Sequence, residues 1–133
     1  MTDFIDKVEF QTKMMCFIML KSIEEIAKVD EELQEELEDI DGKIQWKIAS
    51  FKGYQVIEDG KYSFAMDAEV DDPDVTFIIE KAEFAQSFFS GQADATSAYM
   101  SGDLKIEGDL QLAMSFGSVA EFIADYLEPI RPS

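Results

Sequence analysis

Histidine is absent from this chain, and cysteine occurs once, as Cys16. The first absence removes the commonest general base near neutral pH and the commonest metal ligand. The second excludes a disulfide framework and a cysteine-based zinc site, and it fits a reducing compartment. No serine sits in a nucleophile-elbow context, no phosphate-cradling Gly-rich loop is present, and Cys16 falls on an apolar helix face with no base beside it. A carboxylate in an apolar pocket can act as a general base, but nothing in the sequence singles one out. The chain therefore reads as a non-enzyme, with no catalytic residue, no metal site and no cofactor.

Cations are scarce as well: 11 Lys and Arg stand against 29 Asp and Glu, a net charge of −18. That excess disfavours nucleic acid as a partner and gives no attraction to anionic membranes. The acid pairs Glu31-Glu32, Glu35-Glu36, Glu38-Asp39 and Asp71-Asp72 read as solvated faces and loops. Long apolar runs are missing too. The longest, Met14 to Leu20, is bounded by Lys13 and Lys21 and is too short to cross a bilayer, so no stable membrane insertion is expected. Residues Met1 to Asp6 lack the basic start of a secretory signal, and Arg131-Pro132-Ser133 is not a peroxisomal address, which leaves the cytoplasm as the expected location.

What is present suffices for a core. Of the 133 residues 47% are hydrophobic, and the aromatics comprise 11 Phe, 4 Tyr and 1 Trp, which excludes disorder and supports a single domain over residues 1–133. Thr2 can cap a first helix with an apolar stripe through Ile5, Val8, Met15, Ile18, Met19, Ile23 and Ile26, interrupted by polar Thr12. Between Met14 and Leu20 that helix is apolar nearly all round. It packs either on its own core alone or also on a partner subunit, as in a homodimer. Asp30 caps a second, acidic helix with Leu33, Leu37 and Ile40 inward, and Gly42 is placed as its C-terminal stop.

From Lys43 the period becomes two. Ile44, Trp46 and Ile48 share one face, with Gln45 and Lys47 on the other. Lys52-Gly53 and Asp59-Gly60 read as turns flanking strands Tyr54–Glu58 and Lys61–Val70, with Phe64, Met66 and Ala68 inward. Asp71-Asp72-Pro73-Asp74 breaks the chain before Val75-Thr76-Phe77-Ile78-Ile79, a strand apolar enough to be covered on both faces. A helix from Lys81 carries Phe84, Phe88 and Phe89 and stops at Gly91, and Asp94 caps a short helix through Tyr99 and Met100. A fifth strand holds Leu104 and Ile106 on one face between Gly102 and Gly108. Asp109 then caps a helix that loosens at Gly117, and Ser118-Val119-Ala120-Glu121 starts a last one with the stripe Val119, Phe122, Ile123, Tyr126 and Leu127, ended by Glu128-Pro129. The order predicts an α+β domain with a five-stranded, mainly antiparallel sheet covered by helices.

The second half resembles the sterol carrier protein type 2 family. Asp74-Val75-Thr76-Phe77-Ile78 looks like that family's last meander strand, Glu83-Phe84 with Gly91 its helix and following glycine, and Gly102-Asp103-Leu104-Lys105-Ile106-Glu107-Gly108-Asp109 its Gly-x-Leu-x-Ile-x-Gly-Asp/Asn motif, with Ala113 and Met114 after it. The resemblance covers about Ile23 to Phe116. It implies helices enclosing an apolar tunnel over the sheet and reversible binding of a fatty acyl chain, fatty acyl-CoA, sterol or other lipid, by a carrier rather than a catalyst. It leaves residues 1–21 as an additional N-terminal helix on a core of 22–133. That helix is a candidate for docking a lipid-metabolising enzyme.

By composition alone the large pliant side chains read more readily as an ordinary core than as a cavity lining; the resemblance turns them into one. The candidate lining residues are Trp46, Phe64, Met66, Phe77 and Ile79 on strands, Phe84, Phe88 and Met100 on the helix pair, Leu104 and Ile106 as the floor, and Leu110, Met114, Phe116, Phe122, Ile123 and Tyr126 on the tail. Tyr99, Gln111, Ser115 and Tyr126 are the polar candidates for a lipid headgroup.

Overall fold

A computed structural model describes residues 6–90 and 95–127. The elements are α1 (Lys7–Ile26), α2 (Glu31–Glu38), β1 (Gly42–Ile48), β2 (Phe51–Glu58), β3 (Lys61–Met66), β4 (Val75–Ile79), α3 (Ala82–Phe89), α4 (Ala95–Ser101), β5 (Lys105–Gly108) and α5 (Leu110–Leu127). The strands form one sheet in the order β3-β2-β1-β4-β5. The β1·β4 pair is parallel and the other three are antiparallel, so the α+β fold with a mainly antiparallel sheet and an N-terminal helix stands.

Strand order departs from the simple meander. After β3 the chain does not turn back beside it. Asp67, at φ 59°, bends the chain away, and residues 67–74 cross the open face of the sheet before β4 enters next to β1. Gln45 anchors that crossing: its Nε2 donates to Gly53 O and Ala68 O, and its Oε1 accepts from Val70 N at 2.9 Å. Gln45 is thereby buried on the face that is otherwise lysine-rich. The third strand consequently ends at Met66 rather than Val70, and β4 has helices on one face only, leaving Ile78 half-exposed on the other.

Register places Ile44, Trp46 and Ile48 opposite Gln55, Gly53 and Phe51 and beside Val75, Phe77 and Ile79. These make the inner face, on which α1, α3 and α5 lie. The Asp59-Gly60 hairpin forms as expected, with both residues at positive φ as a type I′ turn requires. Lys52-Gly53 is not a turn. The bend falls at Ala49-Ser50, and Gly53 sits inside β2, where a Cβ would come within 3.2 Å of the Met66 sulfur and 3.6 Å of Leu20. Gly42 likewise does not stop α2, which ends at Glu38; it opens β1, where a Cβ would meet Leu112.

Helix α1 is rotated from its expected phase. Thr12, Cys16, Leu20, Ile23 and Ile26 are buried, while Ile18 is exposed. The reason is close approach: α1 packs chiefly on α3, and the small Thr12 and Cys16 occupy the contact, with the Thr12 hydroxyl 2.7 Å from Val8 O and 3.2 Å from Ala82 O. Burial pushes the Cys16 thiol up to about 12. Phe10, Met14, Phe17 and Ile18 are left as an exposed apolar stripe. The α1 N-cap is Asp6, which accepts from Val8 N. The expected cap Thr2, the stop at Gly91, the cap Asp94 and the terminator Glu128-Pro129 lie outside the described residues. The boundary between residues 21 and 22 falls inside α1.

The tail is one helix. α5 runs unbroken through Gly117 and Ser118, because a single glycine costs a helix only about 1 kcal/mol and the apolar positions on both sides keep a common phase. At its start Asp109 Oδ1 accepts from Gln111 N and Leu112 N. Gly108, at φ 101°, brings the backbone so close to Asp74 O that a Cβ would collide with it, while Asp109 N donates to the same oxygen at 2.8 Å.

Candidate functional site

Between the inner face of the sheet and α3, α4 and α5 lies a cavity of about 710 Å³, within the ~300–1,000 Å³ span of small-molecule sites. Its floor is aromatic. Trp46 stacks on Phe77 with ring centroids 4.5 Å apart at 18°, and Phe89 and Phe116 approach the indole edge-on or tilted at 5.8 and 5.9 Å. The indole orientation is fixed from the side away from the cavity. Trp46 Nε1 donates to Gln55 Oε1 (2.7 Å), Gln55 Nε2 donates to the Tyr62 hydroxyl (2.9 Å), and Tyr62 donates to Leu20 O of α1 (2.8 Å). This buried chain satisfies the only polar atom of the floor and ties α1 to the sheet. Among the described residues no buried side-chain polar atom lacks a partner.

The walls come from β5 and the helices. Leu104 and Ile106 enter from the β5 segment, Phe88 and Phe89 from α3, Met19 from α1, and Ala95, Thr96 and Tyr99 from α4. From α5 come Leu110, Ala113, Met114, Phe116, Gly117, Ala120 and Ile123. Met114 and Leu110 are also exposed, at 77% and 48%, as is Tyr99 at 44%, so these three mark the rim.

Of the candidate lining residues, the cavity thus brings together Trp46, Phe77, Phe88, Leu104, Ile106, Leu110, Met114, Phe116 and Ile123. It does not contain Phe64, Met66, Ile79, Phe84, Met100, Phe122 or Tyr126. Phe64 and Met66 have the inward face but the wrong strand: β3 is the opposite edge of the sheet, where Phe64 meets Phe17 and Tyr62. At ~4.8 Å per strand, β3 lies roughly 14 Å from β4. Ile79 is buried at the far end of β4, beside Ile48. Phe84 packs half-buried one turn before Phe88, and Met100 points outward, 81% exposed.

Phe122 and Tyr126 miss the cavity because α5 is continuous. At about 100° per residue, a helix that aims Ala113, Gly117 and Ala120 at the cavity carries Phe122 and Tyr126 to another side. Tyr126 instead donates to Asp30 Oδ2 at 2.8 Å and borders a shallow groove of about 240 Å³ with Phe17 and Ile18. This hydroxyl, with the Leu33 and Glu32 amides, holds the Asp30 carboxyl below its usual range. Of the headgroup candidates only Tyr99 reaches the cavity; Gln111 and Ser115 are exposed on α5. Sequence reasoning missed Met19, Phe89 and the small residues. The run Ala113, Gly117 and Ala120, at helical spacing and flanked by large apolar side chains, is the signal that room had been left there.

Chemically the site offers apolar surface and two hydroxyls. None of the described residues lining it is a carboxylate, a lysine or a thiol, and no group of three His, Cys, Asp or Glu among the described residues is placed to hold a metal. No helix among them is long and apolar enough to cross a membrane.

Comparison with known proteins agrees with this architecture. No curated protein matches. The sterol carrier protein domain 2 of Helicoverpa armigera is 28% identical, with 80% of this chain and 85% of that one covered and a TM-score of 0.60. Sterol Carrier Protein 2 from Yarrowia lipolytica, in its apo form, is 14% identical over 78% of this chain and 84% of its own, with a TM-score of 0.62. The inverting sec-alkylsulfatase Pisa1 from Pseudomonas sp. shares the fold over 66% of this chain at 16% identity and a TM-score of 0.53, but the chain spans only 14% of that enzyme. The model of the SCP-2 sterol transfer family matches residues 23–121, and with most of its length matched this chain belongs to that family.

Proposed function

We propose that this protein binds a hydrophobic ligand in the cavity under α5 and transfers or presents it without chemical change. The observation that carries the reading is the large apolar cavity with its aromatic floor and its exposed Leu110 and Met114 at the rim. The ligand is of the lipid class, a fatty acyl chain, a sterol or another long apolar molecule, and it lies tunnel-fashion along Trp46, Phe77, Leu104 and Ile106. Burial of each methylene contributes roughly 0.8 kcal/mol, so ten buried carbons contribute about 8 kcal/mol, the order of the cost of immobilisation. A reducing cytoplasm suits the lone buried thiol.

Native mass spectrometry of protein purified without detergent or organic solvent tests this. A co-purifying adduct of lipid mass, or saturable micromolar binding of the uncharged fluorophore N-phenyl-1-naphthylamine, is expected. Protein that carries no adduct and leaves the fluorophore dark overturns the proposal.

A second reading rests on the exposed stripe of Phe10, Met14, Phe17 and Ile18 on α1. It makes this helix the contact of a homodimer, or the docking face of an accessory module for a lipid-metabolising enzyme. Deleting α1 is no test, because Cys16, Leu20 and Ile23 belong to the core. Phe10→Glu with Phe17→Glu leaves the core intact; a sedimentation profile identical to the parent protein's excludes the homodimer.

A further inference from the structure

The lining of the cavity is not merely apolar; among the described residues it carries no charge. Among the described residues its polar side-chain atoms reduce to the hydroxyls of Thr96 and Tyr99, since the Trp46 N–H is committed to Gln55. Thr96 and Tyr99 stand three residues apart on α4 and so share one side of the helix. All ten lysines lie among the described residues, and none lines the cavity.

Seven of the lysines have definite places away from it. Lys43, Lys47, Lys52, Lys61 and Lys105 occupy the open face of the sheet, on the far side from the cavity. There Lys105 binds Glu80 at 2.7 Å, and Lys47 and Lys52 share Glu69. On α1, Lys13 pairs with Asp67 and Lys21 with Glu24. Along β5, Glu107 alternates to the same open face as Lys105, away from the lining residue Ile106, and Asp109 turns its carboxylate to the Gln111 and Leu112 amides, in a chain of net charge −18.

We infer that the cavity takes uncharged lipids carrying a hydroxyl or carbonyl group, such as long-chain alcohols, esters or ketones, and discriminates against free carboxylates and acyl groups attached to nucleotide phosphates. The inference rests on the lipid-binding reading above. A carboxylate drawn into the lining loses its hydration with no cation among the described lining residues to replace it, and it approaches a chain of net charge −18. A neutral hydroxyl or carbonyl needs a single partner, which Tyr99 or Thr96 supplies.

The experiment uses the full chain loaded with N-phenyl-1-naphthylamine and displaced by 1-dodecanol, methyl dodecanoate or sodium dodecanoate at pH 8, below the micellar concentration. The alcohol and the ester are expected to displace the probe at concentrations about tenfold or more below those needed for dodecanoate, equivalent to about 1.4 kcal/mol. Met114→Lys, which sets an ammonium on the rim, narrows that gap about threefold, the size of an exposed ion pair. Dodecanoate that competes as well as or better than dodecanol on the parent protein overturns the inference and leaves the lipid-binding reading standing. A protein that binds neither the probe nor any of the three overturns both.

Discussion

Replacing Gly117 with leucine separates the cavity from the core, because the two respond with opposite signs. A Cβ at Gly117 meets nothing within 4 Å, yet the residue borders the cavity in the middle of α5. In the helix, leucine over glycine contributes about 0.8 kcal/mol, which for a chain of this size raises the melting temperature by about 3–4 °C. In the cavity, four added carbons take the place of about three or four ligand methylenes, a loss of roughly 2–3 kcal/mol, or about 30- to 150-fold in affinity. Gly117→Ala serves as the control: it gives the same gain in the helix with one added carbon and a loss of about fourfold. Thermal unfolding of delipidated protein and titration with N-phenyl-1-naphthylamine read the two effects independently. A leucine variant that melts lower than the parent would mean that Gly117 faces packed atoms rather than space. One that melts higher and binds as before would place the ligand elsewhere.

Gln55→Leu leaves the buried Trp46 N–H without an acceptor and removes a partner of Tyr62; urea unfolding followed by tryptophan fluorescence is expected to show a loss of about 1–3 kcal/mol, and an unchanged midpoint would refute the buried chain. Cys16, with its thiol pushed up to about 12 by burial, is expected to react with a disulfide reagent at pH 8 only at the rate of unfolding, accelerating in urea; labelling of the native protein at the rate of a free cysteine would contradict its packing. Tyr126→Phe lets the Asp30 carboxyl return toward its ordinary value. Because that pKa is depressed in the fold, the interaction stabilises above the ordinary carboxylate range, near pH 4, and is lost as pH falls through and below it. The stability gap between parent and variant should therefore be present at pH 7 and close toward pH 2.5, and a gap independent of pH would refute the bond.

Much of the site was legible because much of it is local. Period two put Trp46 with Ile44 and Ile48, and Ile106 with Leu104, while the wholly apolar β4 gave Phe77 no preferred face; register lays Trp46, Phe77 and Ile106 in a row across β1, β4 and β5. Gly102, Gly108 and Asp109 took their places from backbone geometry alone, through two positive φ angles and a side chain that reaches two amides. Small residues were the weak point, since Ala113, Gly117 and Ala120 signal a space only when the helix opposite them is known.

The sequence by itself determined which side of β1, β3 and β5 is apolar, where the Asp30 and Asp109 caps and the β2–β3 hairpin fall, and the absence of histidine and of a second cysteine. These are properties of neighbouring residues, fixed by bond geometry, side-chain alternation and composition. Only the tertiary structure decided that β4 enters beside β1 rather than β3, that α1 presents Thr12 and Cys16 to α3, and that α5 passes Gly117 without a break. Strand order and helix phase depend on which distant surfaces close on one another. For that reason Phe64, with the right face, lies under α1, while Phe77, on the same face three strands further on, floors the cavity.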